Sequence, residues 1–125
     1  MTIQVLTTQP NEKGTAIFSV SPTDEDGNSI VFAQLTNPQW QMMQFDGTVV
    51  PGCSYDDSAL TSLEWVVSGD QLAIFGDDDV GSRHVTFKAT YDSSYGTGLP
   101  LHAECMFKIQ PLVGIVNEEW TTSLK

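Results

Sequence analysis

From Arg83 to Tyr91 the chain alternates: Val85, Phe87, Ala89 and Tyr91 fall in one phase and His84, Thr86, Lys88 and Thr90 in the other. That period of two marks a strand with one dry and one wet face. Ala103, Cys105, Phe107 and Ile109 repeat the pattern opposite His102, Glu104, Met106 and Lys108. The polar, glycine-bearing stretch Asp92 to Gly98 lies between them, so the two runs predict an antiparallel hairpin joined by a long loop. Pairing through that loop sets His84 near Met106 and His102 near Lys88. Upstream, Thr15 to Thr23 turns Ala16, Phe18 and Val20 inward, and Asp24-Glu25-Asp26-Gly27-Asn28 supplies the turn chemistry that ends it.

A strand is expected at Ser29 to Gln34 and another at Asn37 to Gln44, which carries Trp40 and Met42 in one phase; Phe45-Asp46-Gly47-Thr48 then returns the chain into a short strand at Thr48 to Val50. Ser62 to Ser68 aligns Leu63, Trp65 and Val67, and Gly69-Asp70 leads into Leu72 to Phe75. Helical periodicity of useful length is missing. About seven to nine short strands at roughly ten-residue spacing predict an all-β, immunoglobulin-like antiparallel β-sandwich, with Trp40 on a central strand and Tyr91 facing the same core. A sandwich is preferred to a closed barrel because large aromatics are spread unevenly and Pro51, Pro100 and Pro111 interrupt or flank strands, as edges tolerate. The intersheet cysteine pair of antibody domains has no counterpart, since Cys105 lies on the last strand and Cys53 follows a turn. The domain is expected to span residues 1–113, with 114–125 as a C-terminal arm.

Length and charge narrow the function. A chain of 125 residues buries about two-thirds of its extended surface on folding, enough for one core without metal or disulfides. Five Lys and Arg against sixteen Asp and Glu give a net charge of −11. The cations are scattered at 13, 83, 88, 108 and 125, which speaks against nucleic acid or an anionic membrane as a partner. No apolar run approaches the roughly 20 residues that cross a bilayer, and Met1-Thr2-Ile3-Gln4-Val5 lacks a leader pattern, so synthesis in the cytoplasm is expected. Two cysteines are too few for a disulfide framework and are expected as free thiols, Cys105 as a small buried hydrophobe.

Catalysis needs a nucleophile beside a base, a carboxylate pair or an open metal site, and the sequence has no motif for any of them. No enzymatic activity is expected. The two histidines fall on outward faces out of register with each other. Calcium is the one cofactor the sequence allows: Asp24, Asp26 and Asn28 place oxygens at alternate positions, and Asp77, Asp78 and Asp79 could approach from another loop. A plain polar turn explains the same residues without metal. Trp40, Phe87 and Trp65 are expected in the core, Trp65 having the further reading of a sugar-stacking or interface platform. Glu118, Glu119 and Trp120 beyond the last strand, together with Tyr95 on the loop, are the candidate interface residues.

Gly14-Thr15-Ala16-Ile17-Phe18-Ser19-Val20 followed by Thr23-Asp24-Glu25-Asp26-Gly27-Asn28 resembles the opening of small immunoglobulin-like proteins of tailed bacteriophages and prophages. Trp40 to Thr48, Val66 to Ala73 and Val85 to Leu101 resemble their tryptophan-bearing strand, mid-domain turn and final hairpin, so the likeness spans most of residues 14 to 112. The resemblance implies a virion structural protein without an active site, docking in many copies on major capsid, neck or tail proteins, as a homo-oligomer in the assembled particle. The alternative is a surface adhesion or carbohydrate-binding module in which Trp65 or Tyr95 stacks on sugars.

Overall fold

The structure, a computed structural model, describes residues 3–6, 10–75 and 79–111. Alternating apolar residues form six strands there: β1 (Ile3–Val5), β2 (Thr15–Val20), β3 (Leu35–Gln44), β4 (Glu64–Ser68), β5 (Ser82–Ser93) and β6 (Gly96–Lys108). They build two antiparallel three-stranded sheets, one in the order β1-β2-β4 and the other β3-β5-β6. The inner faces meet through Ala16, Phe18, Trp65 and Val67 on one side and Trp40, Met42, Val85 and Phe87 on the other. Rings bridge the gap: Trp40 and Trp65 lie 6.0 Å apart, and Phe18 and Phe107 5.3 Å. Their planes are tilted by 30° and 55°, between offset-stacked and edge-to-face packing.

The β5–β6 register is the one the alternation predicts, with His84 opposite Met106 and Lys88 opposite His102. Its connection is shorter than expected. Ser93 pairs with Gly96, so the ladder continues through the expected loop and closes with Ser94 and Tyr95 alone. The register slips between Tyr91 and Ser93, which absorbs the odd residue.

Three expected strands take other forms. Ser29 to Gln34 contributes one bridge, Thr23 to Ser29, and then a 3-10 turn at Phe32–Gln34 closed by the Gln34 side chain accepting from the Val31 N–H. Thr48 to Val50 gives a single bridge, Met43 to Val49, because Pro51 and Gly52 bend the chain at once. Leu72 to Phe75 follows a 3-10 turn at Gly69–Leu72 and stays irregular. β1, absent from the sequence reading, is too short to show a period.

Two placements of core residues also change. Trp40 sits on β3, an edge of its sheet rather than a central strand. That edge is covered: Trp40 N–H donates to the Ser58 carbonyl, Met42 N–H to Cys53 and Leu60 N–H to Pro38. Residues 48–60 therefore serve as an irregular fourth strand. Tyr91 lies outside the main core, in a second cluster with Ile30 and Leu101, because β5 runs past the end of the opposing sheet.

Before β5 the chain is held by a buried ion pair. Arg83 is fully buried on the apolar phase of β5, and its Nη1 and Nη2 donate to the two carboxylate oxygens of Asp79 at 2.8 and 2.7 Å. Asp79 also accepts from the Phe75 and Gly81 N–H groups, and Arg83 Nη2 donates to the Ala73 carbonyl. Ala73, Phe75, Asp79 and Gly81 are thus pinned to the foot of β5.

Candidate functional site

At the opposite end of the sheets the Asp24–Asn28 turn meets the β5–β6 turn. The first is closed by its own residues. Asp24 Oδ1 accepts from the N–H groups of Asp26 (3.0 Å) and Asn28 (2.8 Å), and Gly27 takes the left-handed φ of 84° that the turn requires. Ile30, buried against Tyr91 and Leu101, fastens this turn to the sheet.

Glu25 ties the two turns together. Its Oε2 accepts from the Tyr91 hydroxyl at 2.8 Å and its Oε1 from the Ser93 hydroxyl at 2.5 Å. The Ser93 bond, then the Glu25 N–H and the Tyr91 bond, hold the Glu25 carboxyl below the usual glutamate range. In return the hydrogen bond to Glu25, with burial and the charges of Glu25 and Asp24, pushes the Tyr91 phenol up. At the β5–β6 turn Asp92 accepts from the Gly98 N–H at 2.8 Å, which fixes the hairpin end.

The turns enclose an open groove of about 490 Å³, lined by Glu25, Asp26, Tyr91, Tyr95, Leu99 and Pro100. Tyr95 stands 72% exposed at its rim. The surface combines carboxylates, an exposed aromatic ring and a proline on two anchored turns, which suits a basic or amphipathic protein segment.

The expected site residues divide accordingly. Asp24, Asp26 and Asn28 share the tip with Tyr95, a proximity the sequence spacing of some seventy residues conceals. The calcium reading gains nothing from the geometry: Asp24 Oδ1 is occupied by two backbone donors and Asp79 by Arg83, and among the described residues no group of three His, Cys, Asp or Glu could hold a metal ion. Asp77, Asp78, Glu118, Glu119 and Trp120, with the arm 114–125, lie outside the described residues. Trp65 is 8% exposed and packs on Phe18 and Trp40, so it is a core residue and no platform. Cys53 is buried, Cys105 half-buried, and both are free.

Glu25 is the residue of this candidate site that sequence reasoning passed over, although it sits among the residues it singled out. Its signal is faint, since only the Asp24–Asn28 turn chemistry and the length of β5 together bring it to Tyr91. Among the described residues no helix is long and apolar enough to cross a membrane. Compared with protein-family models, curated proteins and solved structures, the chain matches none.

Proposed function

We propose that this chain is an immunoglobulin-like interaction domain that acts by docking on other proteins, as an accessory structural protein of a tailed-phage particle. The observation that carries the fold part is the strand order. In immunoglobulin sandwiches the first, second and fifth strands (A, B and E) share one sheet and C, F and G the other. The orders β1-β2-β4 and β3-β5-β6 follow that scheme with the fourth strand, D, left out, and Trp40 occupies the third strand as the core tryptophan of such domains does. In this scheme the B–C and F–G connections lie at one end, which is where the acidic groove is found.

The tip then acts as the docking surface, with Tyr95 as its anchor, because aromatic side chains on rigid turns bury large area at little entropic cost. A net charge of −11 keeps free subunits apart until a basic surface is offered. Repeated copies on a lattice turn a weak contact into stable attachment by raising effective concentration.

Mass spectrometry of purified particles from the phage or prophage that encodes the chain tests this. The chain is expected in a copy number set by particle symmetry, and Tyr95→Ala is expected to reduce its incorporation. Particles that lack the chain altogether would overturn the proposal.

A further inference from the structure

The outward face of the β3-β5-β6 sheet holds a second surface with different chemistry. Tyr55, on a 3-10 turn at Tyr55–Asp57, lies over it. Its hydroxyl hydrogen-bonds Thr86 Oγ1 at 2.6 Å, and its carbonyl accepts from Gln39 Nε2 at 2.9 Å. Lys88 Nζ is stacked over the Tyr55 ring, 4.2 Å from its centre.

In a chain with sixteen acids and five bases, a lysine has many carboxylates to choose from. Yet among the described residues none lies within ion-pair distance of Lys88, whose ammonium rests on the Tyr55 ring. The ammonium is therefore positioned and still able to accept an anionic partner. Two depressions flank it, of about 420 and 250 Å³, and His102, the cross-strand neighbour of Lys88, lines both. The smaller one is walled by Thr36, Asn37, Gln39 and Thr90 beside Lys88 and His102. A break in the β3 register between Thr36 and Gln39, with Asn37 at a φ of +51°, shapes that wall. Bulges of this kind re-aim side chains and recur beside binding sites.

From this juxtaposition of an ammonium without an ion-pair partner among the described residues with hydroxyl, amide and imidazole groups in a shallow furrow, we infer that the sheet face binds a sugar bearing a carboxylate. The ammonium takes the carboxylate, and the neutral groups take ring hydroxyls. A polyphosphate needs several clustered cations, and Glu104 lines the neighbouring depression. An extended acidic peptide would favour a sheet edge, where backbone groups stand ready to pair, over the middle of a face. The larger furrow falls within the volume range of small-ligand sites, and the smaller, beside Lys88, just under it. The inference uses neither the tip groove nor assembly on a particle, so it stands or falls apart from the docking proposal.

The test is an amide-resolved NMR titration of the intact chain with methyl glucuronide, methyl galacturonide and the methyl glycoside of N-acetylneuraminic acid. Methyl glucoside and sodium acetate serve as comparison ligands. At least one acidic sugar is expected to shift the amides around Asn37, Lys88 and His102 in a saturable way, with a dissociation constant of about 1 mM or below. Lys88→Gln is expected to weaken that binding about tenfold or more, as loss of a charge-assisted contact does. Lys108→Gln, on the same face but opposite Ser82 at its far end, is expected to leave it unchanged. The spectra themselves report whether each variant is folded. Silence with all three acidic sugars overturns the inference. So do equal shifts with acetate, which mean a simple anion contact, equal shifts with methyl glucoside, which remove the carboxylate from the recognition, and undiminished binding in Lys88→Gln.

Discussion

Removing the Asp79 carboxylate strands a charge in the protein interior, and the size of the effect follows from the contacts. The Arg83 side chain is 0% exposed and that of Asp79 3%. Arg83 Nε is buried without a partner, so the guanidinium depends on Asp79 and on the Ala73 and Ser82 carbonyls. Burial alone would raise the Asp79 pKa, but the hydrogen bonds from Arg83, Phe75 and Gly81 and the guanidinium charge outweigh it and lower it from 3.8 to about 2. At about 1.36 kcal/mol per unit, that difference makes ionised Asp79 worth about 2.5 kcal/mol to the folded state. Because the folded pKa is the lower one, this stability is fully present above about pH 4 and is lost as pH falls toward about 2. Asp79→Ala also abandons two backbone N–H groups and an arginine, so it is expected to cost about 3–5 kcal/mol at pH 7. Urea unfolding followed by tryptophan fluorescence measures this, with an unchanged slope indicating an unchanged unfolding transition. Asp79→Asn, compared with the parent from pH 5 to pH 2, isolates the charge, and the gap between them is expected to close across that interval. The double variant Arg83→Met, Asp79→Ala leaves no charge behind and is expected to recover part of the loss. A cost under about 1 kcal/mol for Asp79→Ala, or a gap indifferent to pH, would refute the reasoning.

Further outcomes follow from single residues. Gly81 has a φ of +82°, and a Cβ there would meet the Ile109 carbonyl oxygen at 3.0 Å; Gly47, at +90°, has open space around it. Gly47→Ala is therefore expected to cost about 1–2 kcal/mol from backbone strain alone, and Gly81→Ala more, both read by the same urea assay. Burial pushes the Cys53 and Cys105 thiols up to about 11, so a disulfide reagent at pH 8 is expected to react slowly with the native chain and fully once denaturant is added. Glu25→Gln removes the carboxylate that raises the Tyr91 phenol, and the ultraviolet titration of the tyrosines is expected to shift its highest component to lower pH.

The strands that were legible in the sequence are those whose two faces meet different surroundings. In β5 the residues from Arg83 to Tyr91 alternate buried and half-buried without a break, and the register with β6 follows from matching inward phases. Where the backbone is satisfied by irregular partners, the alternation carries no such information. Residues 48–60 cover the outer edge of β3 with five backbone hydrogen bonds spread along a bent chain, and the pattern alone marks only Thr48 to Val50 of that stretch as a partner of β3. Arg83 was visible in principle: a charge in the apolar phase of a strand demands a partner, and Asp79 stands four residues earlier. The tip was half legible, since turn chemistry marks Asp24 to Asn28, but its union with Tyr95 depends on how far β5 extends beyond the opposing sheet, which no local pattern encodes.

Scarcity makes the cations of this chain informative. With sixteen acids and five bases, a carboxylate partner is the simplest expectation for a positive side chain. Arg83 obeys that expectation in the strictest form, a two-point pair sealed from solvent, and its role is to hold a loop. Lys88 departs from it and rests on a tyrosine ring that is itself fixed to Thr86 and Gln39. Near the tip the sign is reversed: Asp24, Glu25, Asp26 and Asp92 gather there, and Glu25 stays ionised because hydroxyl groups donate to it. The molecule thus presents one surface suited to a cationic partner and another suited to a single anion. Raising salt from low to physiological strength is expected to weaken contacts at the acidic tip more than those in the furrow, because the tip acts through several summed charges and the furrow through one ammonium supported by neutral hydrogen bonds.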